Sequence, residues 1–126
     1  VGIATLWNAQ SGGNGATSKY VQSVLLDAAV AGANTGAITI TYNAGAIGGL
    51  SAGQDTLILT PFIRADAGAI TLPVAQAAFP PITGAIDWLC TSAAGLGPGT
   101  QAATGGFGVA AAVGTVPARF APAICR

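Results

Sequence analysis

Histidine, methionine and glutamate are all missing from this chain of 126 residues, and charged residues of any kind make up only 6% of it. The acids are Asp27, Asp55, Asp66 and Asp87, the bases Lys19, Arg64, Arg119 and Arg126, and the formal net charge is zero. General acid–base catalysis needs two titratable groups converging in a cleft, usually with a histidine or glutamate among them. Asp55 and Asp66 instead flank a predicted strand and Asp87 lies one strand later, the positions of turn carboxylates and a strand-edge solvating group. Neither G-x-S-x-G nor any Ser/His pairing occurs, so the signature of a nucleophilic hydrolase is missing too. The chain is not read as an enzyme.

Cysteine is scarce: Cys90 and Cys125 stand alone, 35 positions apart. Without histidine they cannot make the four-ligand N/S set of a structural zinc site, and no C-x-x-C spacing supports redox chemistry. The calcium-loop pattern is absent, and the Gly-rich stretches 45–53 and 95–108 lack the Lys-Ser/Thr pair of a phosphate-cradling loop. No metal or cofactor is expected. Two thiols allow one intramolecular pairing, and a pair framing a Gly-rich terminal segment reads most easily as a staple made in an oxidising compartment.

Charge and hydropathy bound the partners. DNA binding is not supported by charge: the four cations are scattered among four anions, whereas phosphate recognition calls for a basic stripe. Arg119 and Arg126 make at most a small patch at the chain's end. No apolar run reaches the roughly 18 residues of a membrane span, and no secretory leader is present. Val1 in place of a methionine predicts a processed product whose targeting segment lies upstream. So few charges, none in excess, favour association between copies.

Glycine, alanine, threonine and serine supply most of the chain, which is one domain's length. The first 16 residues read as a loop with an apolar patch at Ile3, Leu6 and Trp7 and a turn at Asn14-Gly15. From Ser18 to Ala31 the pattern is ambiguous. Val21, Val24, Leu25, Ala28 and Ala29 fall at helical spacing, while Tyr20-Val21 and Val24-Leu25-Leu26 suit a strand; periodicity leans to helix. AITITY is the clearest strand, with Ile38, Ile40 and Tyr42 on one face. After a loop at 45–53, TLILTPFI is a second, bent or moved to a sheet edge by Pro61. AITL is a short extended piece, and Pro73, Pro80 and Pro81 argue against a regular helix or central strand between them. Ala85 to Thr91 is a third good strand with Ile86, Trp88 and Cys90 on one face, so Trp88 is expected beside the sulfur. Beyond Ser92 the chain is Gly-rich, with FGVAAAV (107–113) as one more strand candidate.

IDWLCTSA, a Gly/Ala-rich insert and the ending VPARFAPAICR together resemble the carboxy-terminal region of a type IVa pilin. Trp88, Cys90, Pro117, Phe120, Pro122 and Cys125 occupy that region's characteristic positions. SKYVQSV, GAITITYN and LILTP resemble further blocks in the same order, so the likeness covers about residues 18–126. It implies an α+β fold: an antiparallel sheet of about four strands with a disulfide-bounded loop, the family's long amino-terminal helix being absent or truncated. One globular domain, 1–126, would divide into an N-terminal region (1–36), a sheet (37–91) and the disulfide loop (90–125). Lys19 to Leu26 would be extended, Trp88 and Phe120 would pack the loop, and Ile38, Ile40, Leu57 and Leu59 would be exposed or covered by residues 1–31.

The resemblance also implies a structural role. The chain would be a subunit of an extracellular type IV pilus serving adhesion, twitching motility or DNA uptake, with other pilin subunits as partners and a full-length form that passes through the inner membrane. Alternatives are a minor pilin or pseudopilin, and an adhesin-type module using the disulfide loop. For the last, candidate contacts to a host or surface glycan are Thr91, Ser92, Thr100, Gln101, Thr104 and Arg119.

Overall fold

Runs of β-branched residues opposite one another build the centre of the molecule. In the computed structural model, which describes residues 2–28, 35–65, 68–94 and 112–126, Ile38–Tyr42 (β2) pairs antiparallel with Thr56–Ala65 (β3), Ile40 facing Leu57 and Ile38 facing Leu59. Val21–Leu26 (β1) pairs with the outer edge of β2, Gly68–Thr71 (β4) with the second half of β3, and Ala85–Thr91 (β5) with β3 from Ile58 to Arg64. The sheet is antiparallel and five-stranded. Three short helical pieces flank it: Gly2–Asn8 (α1), Gln10–Gly13 (α2) and Leu72–Ala77 (α3). Single 3-10 turns follow at Ala118–Phe120 and Ala123–Cys125.

The three strands read from alternation are present as β2, β3 and β5. Within the ambiguous stretch 18–31, Val21–Leu26 is a strand, against its helical periodicity, and residues 29–31 lie outside the described residues. Val24 and Leu26 face Ile40 and Ile38 across the ladder, and such cross-strand apolar pairs outweigh a weak local propensity. The sheet therefore begins at Val21, ahead of the 37–91 span expected for it.

The opening residues are helical where a loop was expected. Ala4 is buried while Ile3 and Leu6 point outward, so burial of one small residue does not by itself hold α1. Two side chains dock it on the free edge of β1. Trp7 Nε1 donates to Val24 O at 2.8 Å. Asn8 donates through Nδ2 to Leu26 O at 2.8 Å and accepts through Oδ1 from Leu26 N at 2.8 Å. Val24 N donates to Asn14 O at 3.1 Å, and Gly15 bridges Val24 in parallel. An edge that would otherwise offer unpaired N–H and C=O groups is thus occupied.

Both proline expectations are corrected. Pro61 lies in a central strand: β5 lines one edge of β3, while β2 stops at Leu59 and β4 begins at Phe62 on the other. Pro61 stands in the gap between those two partners, where a missing donor breaks no ladder bond. Pro73 opens α3, in the first turn, where an N–H would have no helical acceptor in any case. Of the strand candidate at 107–113, residues 107–111 lie outside the described residues.

Two small cores result. Leu57, Cys90, Val116, Ala121 and Cys125 form one, with Tyr42, Leu50 and Leu59 packed against it; Phe62, Ala69 and Leu89 form the other on the opposite face. Leu57 packs with Val116, Ala121 and Cys125 of the chain's end. Ile38, Ile40 and Leu59 are half-buried.

Candidate functional site

The alternation that builds β5 turns Cys90 toward Leu57 and Leu59, and Cys90 stands opposite Leu59 in the ladder. Cys125 arrives from the other side and is joined to it, the two Cα atoms 4.7 Å apart. Both sulfur-bearing residues are buried.

Two Pro-initiated turns bring Cys125 there. Pro117 and Pro122 hold extended backbone (φ −57°, ψ 143° and φ −54°, ψ 149°), and each accepts a bond from three residues on: Phe120 N to Pro117 O and Cys125 N to Pro122 O, both 2.9 Å. Val116, Ala121 and Cys125 turn inward, at 2–3% exposure, and the residues between them stay at the surface.

Where β5 has ended, the segment before Pro117 takes over the edge of β3. Thr115 N and Val116 N donate to Thr56 O at 2.8 and 3.1 Å, and Ala93 N donates to Val116 O at 2.9 Å. Thr115 Oγ1 accepts from Asp55 N at 3.0 Å and from Thr56 N at 3.1 Å. On the opposite face Thr91 Oγ1 donates to Ala112 O at 2.7 Å. The segment is therefore latched at Thr56 by backbone bonds and the Thr115 hydroxyl, at Thr91 by a second threonine hydroxyl, and at Cys90 by a covalent bond.

Phe120 closes the outer side. Its ring lies over Gly49 so closely that a Cβ there would fall 2.8 Å from Cζ, and Gly49 has φ +95°, a conformation open to glycine. The Arg119 guanidinium sits 4.7 Å from the Phe120 ring centroid. Between the β2–β3 loop and this segment an apolar cavity of about 230 Å³ remains, lined by Tyr42, Ile47, Leu50, Leu57, Val116, Phe120 and Pro122.

The residues singled out from sequence meet different fates. Cys90 and Cys125 are joined, while Phe120, 42% exposed, lies over Gly49 and lines the cavity. Trp88 shares a face with Cys90 but is 53% exposed, with Pro61 as its cross-strand neighbour. Thr91 and Ser92 are fully buried at 0% exposure, so a receptor cannot reach them; the hydroxyl of Thr91 is used inside the fold. Thr100, Gln101 and Thr104 lie outside the described residues. Arg119 is exposed, its guanidinium over the Phe120 ring. Among the described residues no three His, Cys, Asp or Glu side chains converge as metal ligands would. The charged pair Arg64 and Asp87 lies across β3 and β5, Nε to Oδ2 2.6 Å, at the surface. Sequence reasoning missed the Trp7/Asn8 clamp and the cavity; the spacing of Pro117 and Pro122, each followed by alanine, was a readable sign of the repeated turn.

The chain, an antiparallel sheet whose last strand is stapled to a Pro-rich end, belongs to the pilin family, a family of bacterial filament proteins whose model matches residues 3–126. Among solved structures it is similar to a type IV pilin of Pseudomonas aeruginosa strain Pa110594, with 46% identity and a TM-score of 0.77 over 98% of this chain and 75% of that one. No curated protein matches the chain.

Proposed function

We propose that this chain is the globular part of a structural subunit of an extracellular type IV pilus, and that the filament serves surface attachment, twitching motility or DNA uptake. The observation that carries this is the stapled chain end: Cys125 held to Cys90 against the central strand, in a chain matched to the pilin family over nearly its whole length. A covalently closed, low-charge head suits a protein that is packed against copies of itself outside the cell. Immunogold labelling with antibodies raised against residues 1–126 tests it. Decorated surface filaments that vanish, together with twitching zones, when the gene is deleted are expected; undecorated filaments that persist in the deletion strain refute it.

Receptor contact through the disulfide loop is the weaker alternative. Burial of Thr91 and Ser92 leaves it only Thr100, Gln101, Thr104 and Arg119 of its original residues. A glycan array that stays blank with the oxidised domain would dispose of it. Abundance in purified filaments separates a major subunit from a minor pilin or pseudopilin.

A further inference from the structure

The free backbone groups of β5 point in a direction fixed by its neighbours. Thr56 O accepts from Thr115 N and Val116 N, on the β5 side of β3, while Asp55 O accepts from Tyr42 N on the β2 side. Successive residues of a strand turn their N–H and C=O groups to opposite edges, so Ile58, Thr60, Phe62 and Arg64 bond toward β5. Their partners there are Thr91, Leu89, Asp87 and Ala85. Ile86 and Trp88 stand opposite Ile63 and Pro61, and the missing N–H of Pro61 fits the same parity. Ile86 and Trp88 therefore aim their N–H and C=O groups away from β3, and among the described residues no strand pairs with that edge.

The sheet's other margins are guarded. α1 and Gly15 occupy the edge of β1, and β4 offers four residues before α3 begins. β5 has seven residues, with no lysine, no proline and no irregularity in its register against β3 to protect it. Its one charge, Asp87, is neutralised by Arg64. Ile86 and Trp88 are 57% and 53% exposed. Unpaired N–H and C=O groups along an edge specify the occupant, another extended backbone, and the side chains beside them select among strands.

This edge is complementary to itself. About a two-fold axis at Asp87, two copies of β5 run antiparallel with Ile86 opposite Trp88 and Trp88 opposite Ile86, so every exposed outward N–H and C=O meets its counterpart. Slipping the register one way calls on Cys90, which is buried, and the other way on Gly84, which lies outside the strand. On one face each Trp88, already beside Pro61, gains a β-branched neighbour in Ile86. On the other face two Asp87 and two Arg64 side chains meet with no net charge.

We propose that two copies of this chain pair through the outer edges of β5, in the register that sets Ile86 against Trp88. An isologous contact closes on itself, so it joins two heads and is not the repeat that extends a filament.

Sedimentation equilibrium and ¹H–¹⁵N spectra of the oxidised 126-residue chain, followed over a concentration series, test this. So short a pairing lies below the roughly 1,200 Å² of a stable interface, and half of the chains should be paired at about millimolar protein. The mass should approach that of a dimer and stop there, with amide shifts centred on Ile86 to Trp88. Ile86→Pro removes an N–H that takes no part in the β3 ladder, and Trp88→Lys puts a charge at the edge. Each should lower the association constant about tenfold or more, and Trp88→Lys decides the matter if Ile86→Pro does not fold. Val74→Lys, on α3 and equally exposed at 57%, should associate as the wild type does. The proposal is overturned if the spectra do not change with concentration, if the mass grows past a dimer, if Trp88→Lys pairs like the wild type, or if Val74→Lys weakens pairing as much. A synthetic peptide of residues 84–92 carrying Cys90→Ser should compete. A chain that stays monomeric yet binds this peptide at β5 would have a strand of another protein as its partner, and that also ends the proposal. None of these failures touches the filament reading, which stands or falls on the antibody decoration.

Discussion

Asn8 shows how one side chain can stand in for a strand. Its amide donates to Leu26 O and accepts from Leu26 N, reproducing the pair of bonds that a neighbouring backbone would make. Replacing it with alanine leaves both Leu26 groups without protein partners, which should cost about 1–3 kcal/mol. Urea unfolding should register that loss for Asn8→Ala and almost none for Gln22→Ala, an exposed residue on the same strand. Gly15 and Gly12 offer a sharper contrast. Both have positive φ, +67° and +70°, but a Cβ on Gly15 would collide with Val24 O and Trp7, and one on Gly12 would meet nothing within 4 Å. Gly12→Ala should therefore cost only the left-handed backbone term, about 1 kcal/mol. Gly15→Ala should add an overpacking term of about 1–3 kcal/mol. Equal midpoints for the two variants would mean that the α1 clamp yields without resistance.

Among the elements, the segment at Thr115 has the most to lose from a small change. It lies beyond the last β5 pair and has no strand of its own, yet its hydroxyl accepts from Asp55 N and Thr56 N and also faces the Thr56 hydroxyl at 3.0 Å. Thr115→Val keeps shape and removes those bonds. Unfolding should become easier by about 1–2 kcal/mol, and amide exchange should quicken at Asp55 and Thr56 ahead of the rest of β3. Element by element, legibility followed the reach of the signal. β2 and β5 were plain because alternation is a local property, and Ala85 to Thr91 was bounded correctly from sequence alone. β1 was ambiguous because its fifth and sixth residues, Leu25 and Leu26, satisfy either periodicity and only the Val24–Ile40 and Leu26–Ile38 pairings choose between them. Pro61 misled for the same reason: nothing near it in sequence tells that β2 ends and β4 begins on either side of it.

For the molecule as a whole, the decisive bond is the one between Cys90 and Cys125, separated by 35 positions. Closing so long a loop removes unfolded-state entropy worth about 4 kcal/mol in the chain-entropy model, a large share of a domain's total of roughly 5–15 kcal/mol. Reduction, or Cys90→Ser, should lower the thermal midpoint by about 10–20 °C. Differential scanning calorimetry with and without reductant measures it, and a drop of only a degree or two would mean that Val116, Ala121 and the Thr115 latch hold the chain end unaided. The two small cores on either face of the sheet make such dependence expected, because neither is large enough to carry the fold alone.

Some properties followed from the residues with no knowledge of their neighbours. The absence of histidine and glutamate, the single available disulfide pairing, the alternation of ITITY and the ordered pilin-like blocks depend on identity and short-range order, and they led to the family and its sheet. Other properties belonged to the tertiary structure. Trp7 meets Val24 across 17 positions and Thr115 meets Asp55 across 60. Thr91 and Ser92, polar and next to a cysteine, could be assigned to the surface from sequence, and the folded chain buries both completely. Burial and edge pairing are set by which distant segments come to lie against a residue. The segment leading to Cys125 therefore acquired its latch and its cavity only because β3 was in place to receive it.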